Sequence, residues 1–241
     1  MLTRRNFLKS SALAAPLILT PSMLGAIRRA QPNSRLGVGL IGCGKRMFEM
    51  VGEFLDQPDV QVLAACDVDT TRREHVKSIV DKKYGNSDCK STVDYQDILI
   101  RKDIDAVVIG TPDHWHINQV MHAAIYGKDI YCEKPLTLNL RECQLMIDTV
   151  KQAGVVFQTG SQQRTEYDGK FRKAIEYIRS GKIGDILSVH VGVGTSSKWC
   201  DLGEEEFEPG LEWDMWLGPA PKRPFHSALS PRGVHNHYPQ W

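Results

Sequence analysis

The sequence predicts an α/β fold, a doubly wound parallel sheet followed by an incomplete α/β domain with the start of an antiparallel sheet. Three observations carry this expectation. Residues Leu36 to Lys45 read L-G-V-G-L-I-G-C-G-K, a short apolar run broken by a glycine turn, with helically spaced apolar residues after it. A second apolar run, Val60 to Cys66, ends on Asp67. Strand-like and helix-like segments then alternate as far as Gly160, which calls for parallel pairing through right-handed crossovers.

The first element is a buried strand at Leu36–Ile41, diluted only by glycines. Gly42 permits a tight turn, and Gly44 leaves no side chain between the backbone and a bound pyrophosphate. Cys43, Lys45 and Arg46 complete this turn. Met47, Phe48, Met50, Val51, Phe54 and Leu55 repeat with helical spacing, so a helix N-terminus would face the anion. The match to G-x-G-x-x-G is imperfect, because Met47 stands where the third glycine would be. A slightly displaced helix is the expected consequence. About 20 residues on, Asp67 is placed to accept hydrogen bonds from ribose hydroxyls and to repel a 2′-phosphate, favouring NAD over NADP. The plainer role for Asp67 is to cap the following helix.

Farther along, Thr70 to Lys83 reads as an exposed helix and Tyr84 to Lys90 as a loop. Asp94 opens a helix running to about Lys102. Asp105 to Gly110 is a strand, Ile117 to Tyr126 a helix, and Asp129 to Cys132 a short strand. Asn139 caps a helix with Glu142 at the capping-box position. Leu140, Cys143, Leu145, Met146, Ile147 and Val150 form its apolar face. Val155 to Thr159 is the sixth strand. Beyond Gly160 the sequence predicts a helix at Lys170–Arg179 with Phe171, Ile175 and Ile178 on one side. A strand is predicted over Ile186 to Val193, then a Trp/Pro-rich stretch from Trp213 to Pro224.

Composition sets outer limits. The 241 residues carry a net charge of +1, which argues for neither nucleic acid nor an anionic membrane as partner. Six cysteines are scattered without a C-x-x-C pair, and a disulfide framework is not expected. At the N-terminus, T-R-R-N-F-L-K from Thr3 and a mild apolar stretch from Ser11 to Ala26 resemble a twin-arginine export signal. The export machinery would then be a partner and the periplasm the destination. Leu24 is a poor residue for cleavage after Ala26, so retention as an anchor stays open. The expected organisation is therefore a signal segment over 1–30, a nucleotide-binding domain over 31–160, and an incomplete substrate and oligomerisation domain over 161–241.

Ligands of such sheets lie beyond the carboxyl ends of the strands. Two further strand ends bring polar residues there: Thr111-Pro112-Asp113-His114-Trp115-His116 and Glu133-Lys134-Pro135. Lys134 is the catalytic candidate, the plainer alternative being a surface lysine in a strand-to-helix turn. Beside a positively charged cofactor ring its ammonium form is disfavoured, which suits it to manage a substrate hydroxyl proton. Pro135 fixes the turn, with Lys134–Pro135 a candidate cis bond. His116 is expected to anchor the next helix, and Asp113 and Trp115 to line the cleft. His114 and His116 lack a third ligand at helical spacing, so no metal site is expected. His235 and His237 read as loop residues.

The ordered motifs G-C-G-K, C-D, T-P-D-H-W-H, E-K-P and G-S-Q-Q-R (Gly160 to Arg164), then G-K-I-G-D-I and W-D-M-W-L-G-P-A-P, resemble the glucose–fructose oxidoreductase/inositol dehydrogenase family. That resemblance implies a Rossmann domain and a second domain with a large, mainly antiparallel sheet able to pack against another subunit. It implies NAD facing Gly42, Gly44, Lys45 and Arg46 at the pyrophosphate and Asp67 at the ribose. Thr111, Asp113 and His116 would flank the cofactor, and Glu133 and Lys134 the nicotinamide. Gln162 and Arg164 would sit near the nicotinamide or the substrate, a sugar, cyclitol or related polyol. The implied activity is hydride transfer between nicotinamide and that substrate. A redox-neutral, NAD-using glycosidase of the same family and a truncated nucleotide-binding chain without activity are the alternatives. The family's downstream acid and histidine have no counterpart here, so the chain resembles the first part of a longer member.

Overall fold

The computed structural model describes residues 35–164, 167–192 and 201–235, with the backbone alone at Arg164 and Tyr167. The predicted signal segment lies outside the described residues, as do Trp199, Cys200 and His237. Six parallel strands form one sheet: β1 (Leu36–Ile41), β2 (Val60–Cys66), β3 (Lys90–Thr92), β4 (Ala106–Ile109), β5 (Asp129–Glu133) and β6 (Phe157–Gly160). Their spatial order is β3-β2-β1-β4-β5-β6, so strand order reverses between β1 and β4. The sheet is the doubly wound dinucleotide type.

Helices cover both faces. On one side lie α1 (Lys45–Leu55) and α2 (Thr70–Tyr84). Val38 and Leu40 of β1, Val62 of β2 and Val108 of β4 pack there with Met47, Met50, Val51, Val76 and Val80. On the other side lie α3 (Gln96–Leu99), α4 (Asp113–Ile125) and α5 (Leu140–Ala153). Ile41, Ala64, Val107, Ile109 and Ile130 pack there with Ile98, Val120 and Met146. Alternate residues of one strand thus serve opposite layers. Each fully buried aliphatic side chain contributes about 1.5–3 kcal/mol by leaving water.

Helix ends follow local chemistry. Asp69, rather than Asp67, caps α2, its Oδ1 accepting from the N–H groups of Thr71 (2.8 Å) and Arg72 (3.4 Å). Asn139 Oδ1 accepts from Glu142 N at 3.0 Å, and Glu142 accepts in return from Leu138 N and the Asn139 amide. α4 begins at Asp113, four residues before the predicted start. Pro112 enters the helix without a donor to satisfy, and the Asp113 carboxylate sits on its positive end. Asp113 to His116, expected between the strand end and the helix, are therefore its first turn.

Other boundaries also move. β3 takes Lys90, the last residue of the predicted loop, with Ser91 and Thr92, and three polar residues carry no periodic signal. α3 is a single turn, not a helix to Lys102. β6 starts two residues later than predicted. α5 buries only Met146 fully, while Leu140 is 89% exposed. α6 (Lys170–Arg179) forms with the predicted limits but buries no residue. Residues 186–192 form no strand, because no described segment lies alongside to share a hydrogen-bonding ladder.

A third apolar cluster gathers the Trp/Pro-rich stretch. Leu211, Trp213, Trp216, Leu217, Phe225 and Leu229 pack around the short helix α7 (Trp213–Leu217). This segment returns to the sheet domain through an antiparallel bridge between Asp69 and Leu211. Among the described residues, no helix is long and apolar enough to cross a membrane.

Candidate active site

The carboxyl ends of β1, β2, β4 and β5 open onto one crevice of about 420 Å³. Gly42, Gly44, Lys45 and Arg46 line it from the first turn, Asp67 from the second strand, and Thr111, Asp113, Trp115 and His116 from the fourth. Glu133, Lys134 and Pro135 line it from the end of β5. The three strand ends predicted to share one ligand therefore do face a common space.

The turn at Gly42 needs glycine. Its φ is +84°, and a Cβ there would lie 2.6 Å from Thr111 N. Among the described residues a Cβ on Gly44 would meet nothing within 4 Å, so the backbone at the start of α1 is open to a ligand. Met47 does not close the crevice. It is fully buried in the core on the α1 side of the sheet, where a Cβ on Gly110 would still stand at an ordinary contact distance, 3.4 Å, from its Cε. Cys43 turns into the core, so only its backbone serves the turn. Its N–H donates to Asp67 Oδ2 at 2.6 Å. Burial, with the Asp67 charge nearby, pushes the thiols of Cys43 and Cys66 upward, which keeps them neutral packing groups.

Asp67 Oδ1 accepts from Asp69 N at 2.9 Å. Burial raises its pKa, against the opposing pull of Arg72 and of its two backbone N–H donors. Each carboxylate oxygen retains a further lone pair for a hydroxyl donor. Asp113 Oδ1 is buried with no hydrogen-bond partner among the described residues and lies in the crevice wall. Such an acceptor suits a ligand hydroxyl or amide.

His116 does anchor the helix start. Its Nδ1 lies 2.7 Å from Pro135 O and its Nε2 2.9 Å from Thr111 O, tying the β4 and β5 loops together. His114 Nε2 meets Trp216 O at 2.9 Å. Burial lowers the His114 pKa, opposed by that carbonyl. Both histidines are thus engaged by backbone, and no group of metal-holding side chains occurs among the described residues.

Glu133 is the hub of the β5 end. Its Oε1 accepts from Arg46 Nε at 2.9 Å and from Gln162 Nε2 at 2.6 Å. A Cβ on Gly160 would fall 2.6 Å from Glu133 Oε1, so only glycine allows β6 to pass this carboxylate. Arg46, expected at the pyrophosphate, has its guanidinium between Glu133 and Glu49. Burial works to lower its pKa, but hydrogen bonds to Glu49 and Glu133 outweigh that and raise it. Lys134 is exposed in the crevice mouth, and its bond to Pro135 is cis. Gln162 reaches the site through Glu133, whereas the Arg164 side chain lies outside the described residues.

A family model described as an oxidoreductase family with an NAD-binding Rossmann fold matches residues 36–161. The chain belongs to this Gfo/Idh/MocA family. NAD is the cofactor of its Rossmann domain. The open backbone at Gly44, the Asp67 carboxylate and the unsatisfied Asp113 oxygen fit such a group. Among curated proteins, the chain is 28% identical over 235 residues to a glycosyl hydrolase family 109 protein of Shewanella pealeana, covering 89% of this chain and 48% of that one. It is 26% identical over 178 residues to 2,7-anhydro-N-acetylneuraminate hydratase of Mediterraneibacter gnavus, covering 74% and 42%. Myo-inositol 2-dehydrogenase of Lactobacillus plantarum superposes with a TM-score of 0.57 at 28% identity, over 64% of this chain and 44% of that one. Scyllo-inositol dehydrogenase of Lactobacillus casei, solved with NAD(H) and scyllo-inositol, gives 0.56 at 25% identity, over 63% and 43%. The chain spans less than half the length of these relatives.

The rest of this Gfo/Idh/MocA crevice was missed in the sequence. Arg72, Val68, Val93 and Tyr95 line it from β2, α2 and the loop after β3, and Met215, Trp216, Leu229, Ser230, Pro231 and His235 from the C-terminal segment. Apolar residues near Trp213 were visible, but no local pattern says that they fold back over strands more than 100 residues earlier. His235, read as a loop residue, belongs to this wall.

Proposed function

We propose that the protein is an NAD-dependent oxidoreductase acting on a sugar, cyclitol or related polyol. The observation that carries this is the convergence of Gly42, Asp67 and Lys134 on one crevice. Bound NAD supplies the hydride acceptor and donor. The open N–H groups around Gly44 and the dipole of α1 bind its pyrophosphate, with Lys45 adding positive charge. Asp67 accepts from the ribose hydroxyls and disfavours a 2′-phosphate. The two neighbouring arginines are committed elsewhere, Arg72 to Asp69 at 3.3 Å and Arg73 to the Asp67 carbonyl at 3.0 Å, which also supports NAD over NADP. Thr111, Asp113 and His116 flank the cofactor, His116 by holding the Thr111 and Pro135 carbonyls. Lys134 Nζ hydrogen-bonds a substrate hydroxyl and moves its proton. Glu133, fixed by Arg46 and Gln162, keeps the Lys134 loop in register, and Arg164 contributes to the substrate side.

A fluorescence titration with NADH tests the reading. Saturable binding, followed by NAD⁺ reduction with one member of a polyol panel, is the expected result. Absence of binding would refute it. The glycosyl hydrolase family 109 relative, matched over 89% of this chain, supports a second reading as an NAD-using, redox-neutral glycosidase. Release of an aryl leaving group without net NADH would select it. The twin arginines at Arg4 and Arg5 support export to the periplasm, and residues beyond Gly160 would provide subunit contacts in a homo-oligomer.

A further inference from the structure

The segment from Leu211 to His235 crosses the crevice like a strap, tied at its start by the Asp69–Leu211 bridge and then held near two strand ends, His114 Nε2 meeting the Trp216 carbonyl at the first. Near the β4 end, Trp115 Nε1 donates to the carbonyls of Met215 and Trp216, both at 3.0 Å. Near the β2 end the pin is Arg72, a charged side chain only 7% exposed. Its Nη2 donates to Ser230 Oγ at 3.2 Å and to the Pro231 carbonyl, and its Nε lies 3.4 Å from the Gly233 carbonyl. The charge is balanced by Asp69, whose own N–H is held by Asp67. A buried arginine bonded to main-chain carbonyls of a distant segment is costly unless the geometry is kept intact. Here that geometry holds Ser230 and Pro231 in the lining of the crevice that Asp67 also lines.

We propose that Arg72 is a positioning residue for dinucleotide retention. It clamps the strap over the Asp67 end of the crevice, so that the cofactor leaves only when the clamp opens. The inference rests on the NAD reading above. It concerns the release rate rather than the contacts that give binding. Loss of the charged hydrogen bonds should speed release by on the order of tenfold or more.

The test uses the whole chain and stopped-flow displacement of NADH. Arg72→Met is expected to release NADH about tenfold faster or more, with association little changed, and Arg72→Lys to recover part of the difference. A fold defect alone would lower the number of binding sites instead. Gly218→Ala attacks the other pin, because Gly218 has φ +48° and a Cβ there would fall 2.2 Å from the Trp115 ring. It should also speed release. Wild-type release from Arg72→Met, or from Gly218→Ala should the arginine variant not fold, would overturn the clamp. If the unaltered protein binds no NADH, the dinucleotide reading fails by itself. The clamp is then judged by trypsin, which should cut after Arg232 sooner in Arg72→Met than in the parent, and equal cutting would discard it.

Discussion

Residues 35–160 and residues 170–192 have similar apolar patterns and opposite fates. In the first region, strands and helices cover one another, and Leu40, Ile41, Met47 and Ile109 are almost wholly removed from water. In the second, Phe171, Ile175 and Ile178 repeat with helical spacing, yet they are 52%, 47% and 40% exposed. The helix α6 forms all the same, whereas the predicted strand after it does not. A helix satisfies its backbone within itself. A strand borrows its hydrogen bonds from a neighbour. An apolar pattern therefore suffices to propose a helix, while a strand also needs a place in a sheet.

The largest effect expected in the covered region is chemical. Lys134→Met should reduce turnover by roughly 10²–10⁴-fold while NADH binding and the melting temperature hold, since Lys134 is exposed and its contribution lies in proton transfer. Loss of binding together with turnover would move Lys134 from chemistry to cofactor contact. Next, Leu40→Ala should cost about 2–5 kcal/mol in urea unfolding, but Ile175→Ala no more than about 0.5 kcal/mol. Equal costs would mean that α6 is covered in solution. Gly160→Ala should cost about 1–3 kcal/mol and disturb the Glu133 carboxylate it would touch, whereas Gly52, with no atom of the described residues outside its own helix backbone within 4 Å of its Cβ position, should tolerate alanine.

A smaller effect is pH-dependent. The folded-state pKa of Asp67 lies above the ordinary 3.8, chiefly through burial. Between the two values the native state binds more protons than the unfolded one, so stability falls as pH rises through that window. Asp67→Asn should flatten that part of the stability curve, and an unchanged slope in parallel pH-dependent unfolding would show that Asp67 is solvated.

Much of this was legible in the residues. The limits of β1, β2 and α6 agree with apolar runs and with Gly42, Asp67 and Arg179 as punctuation. The glycine turn and the E-K-P strand end were visible because their chemistry is local. The helix start at Asp113 rather than Ile117 is not legible locally, because proline and aspartate mark turns and helix starts alike. β3 carried no signal of its own, since its three residues are placed by β2.

The sequence by itself determined the alternation of helices with every strand of the sheet except β3, the glycine turn and the residues at the ends of β1, β2, β4 and β5, because these depend on neighbours a few positions away. Tertiary structure alone decided that Glu133 gathers Arg46 and Gln162, and that Arg72 meets Ser230 and Pro231. Those pairings join residues between 29 and 159 positions apart, and only the closing of the sheet and the return of the C-terminal segment bring them within bonding distance.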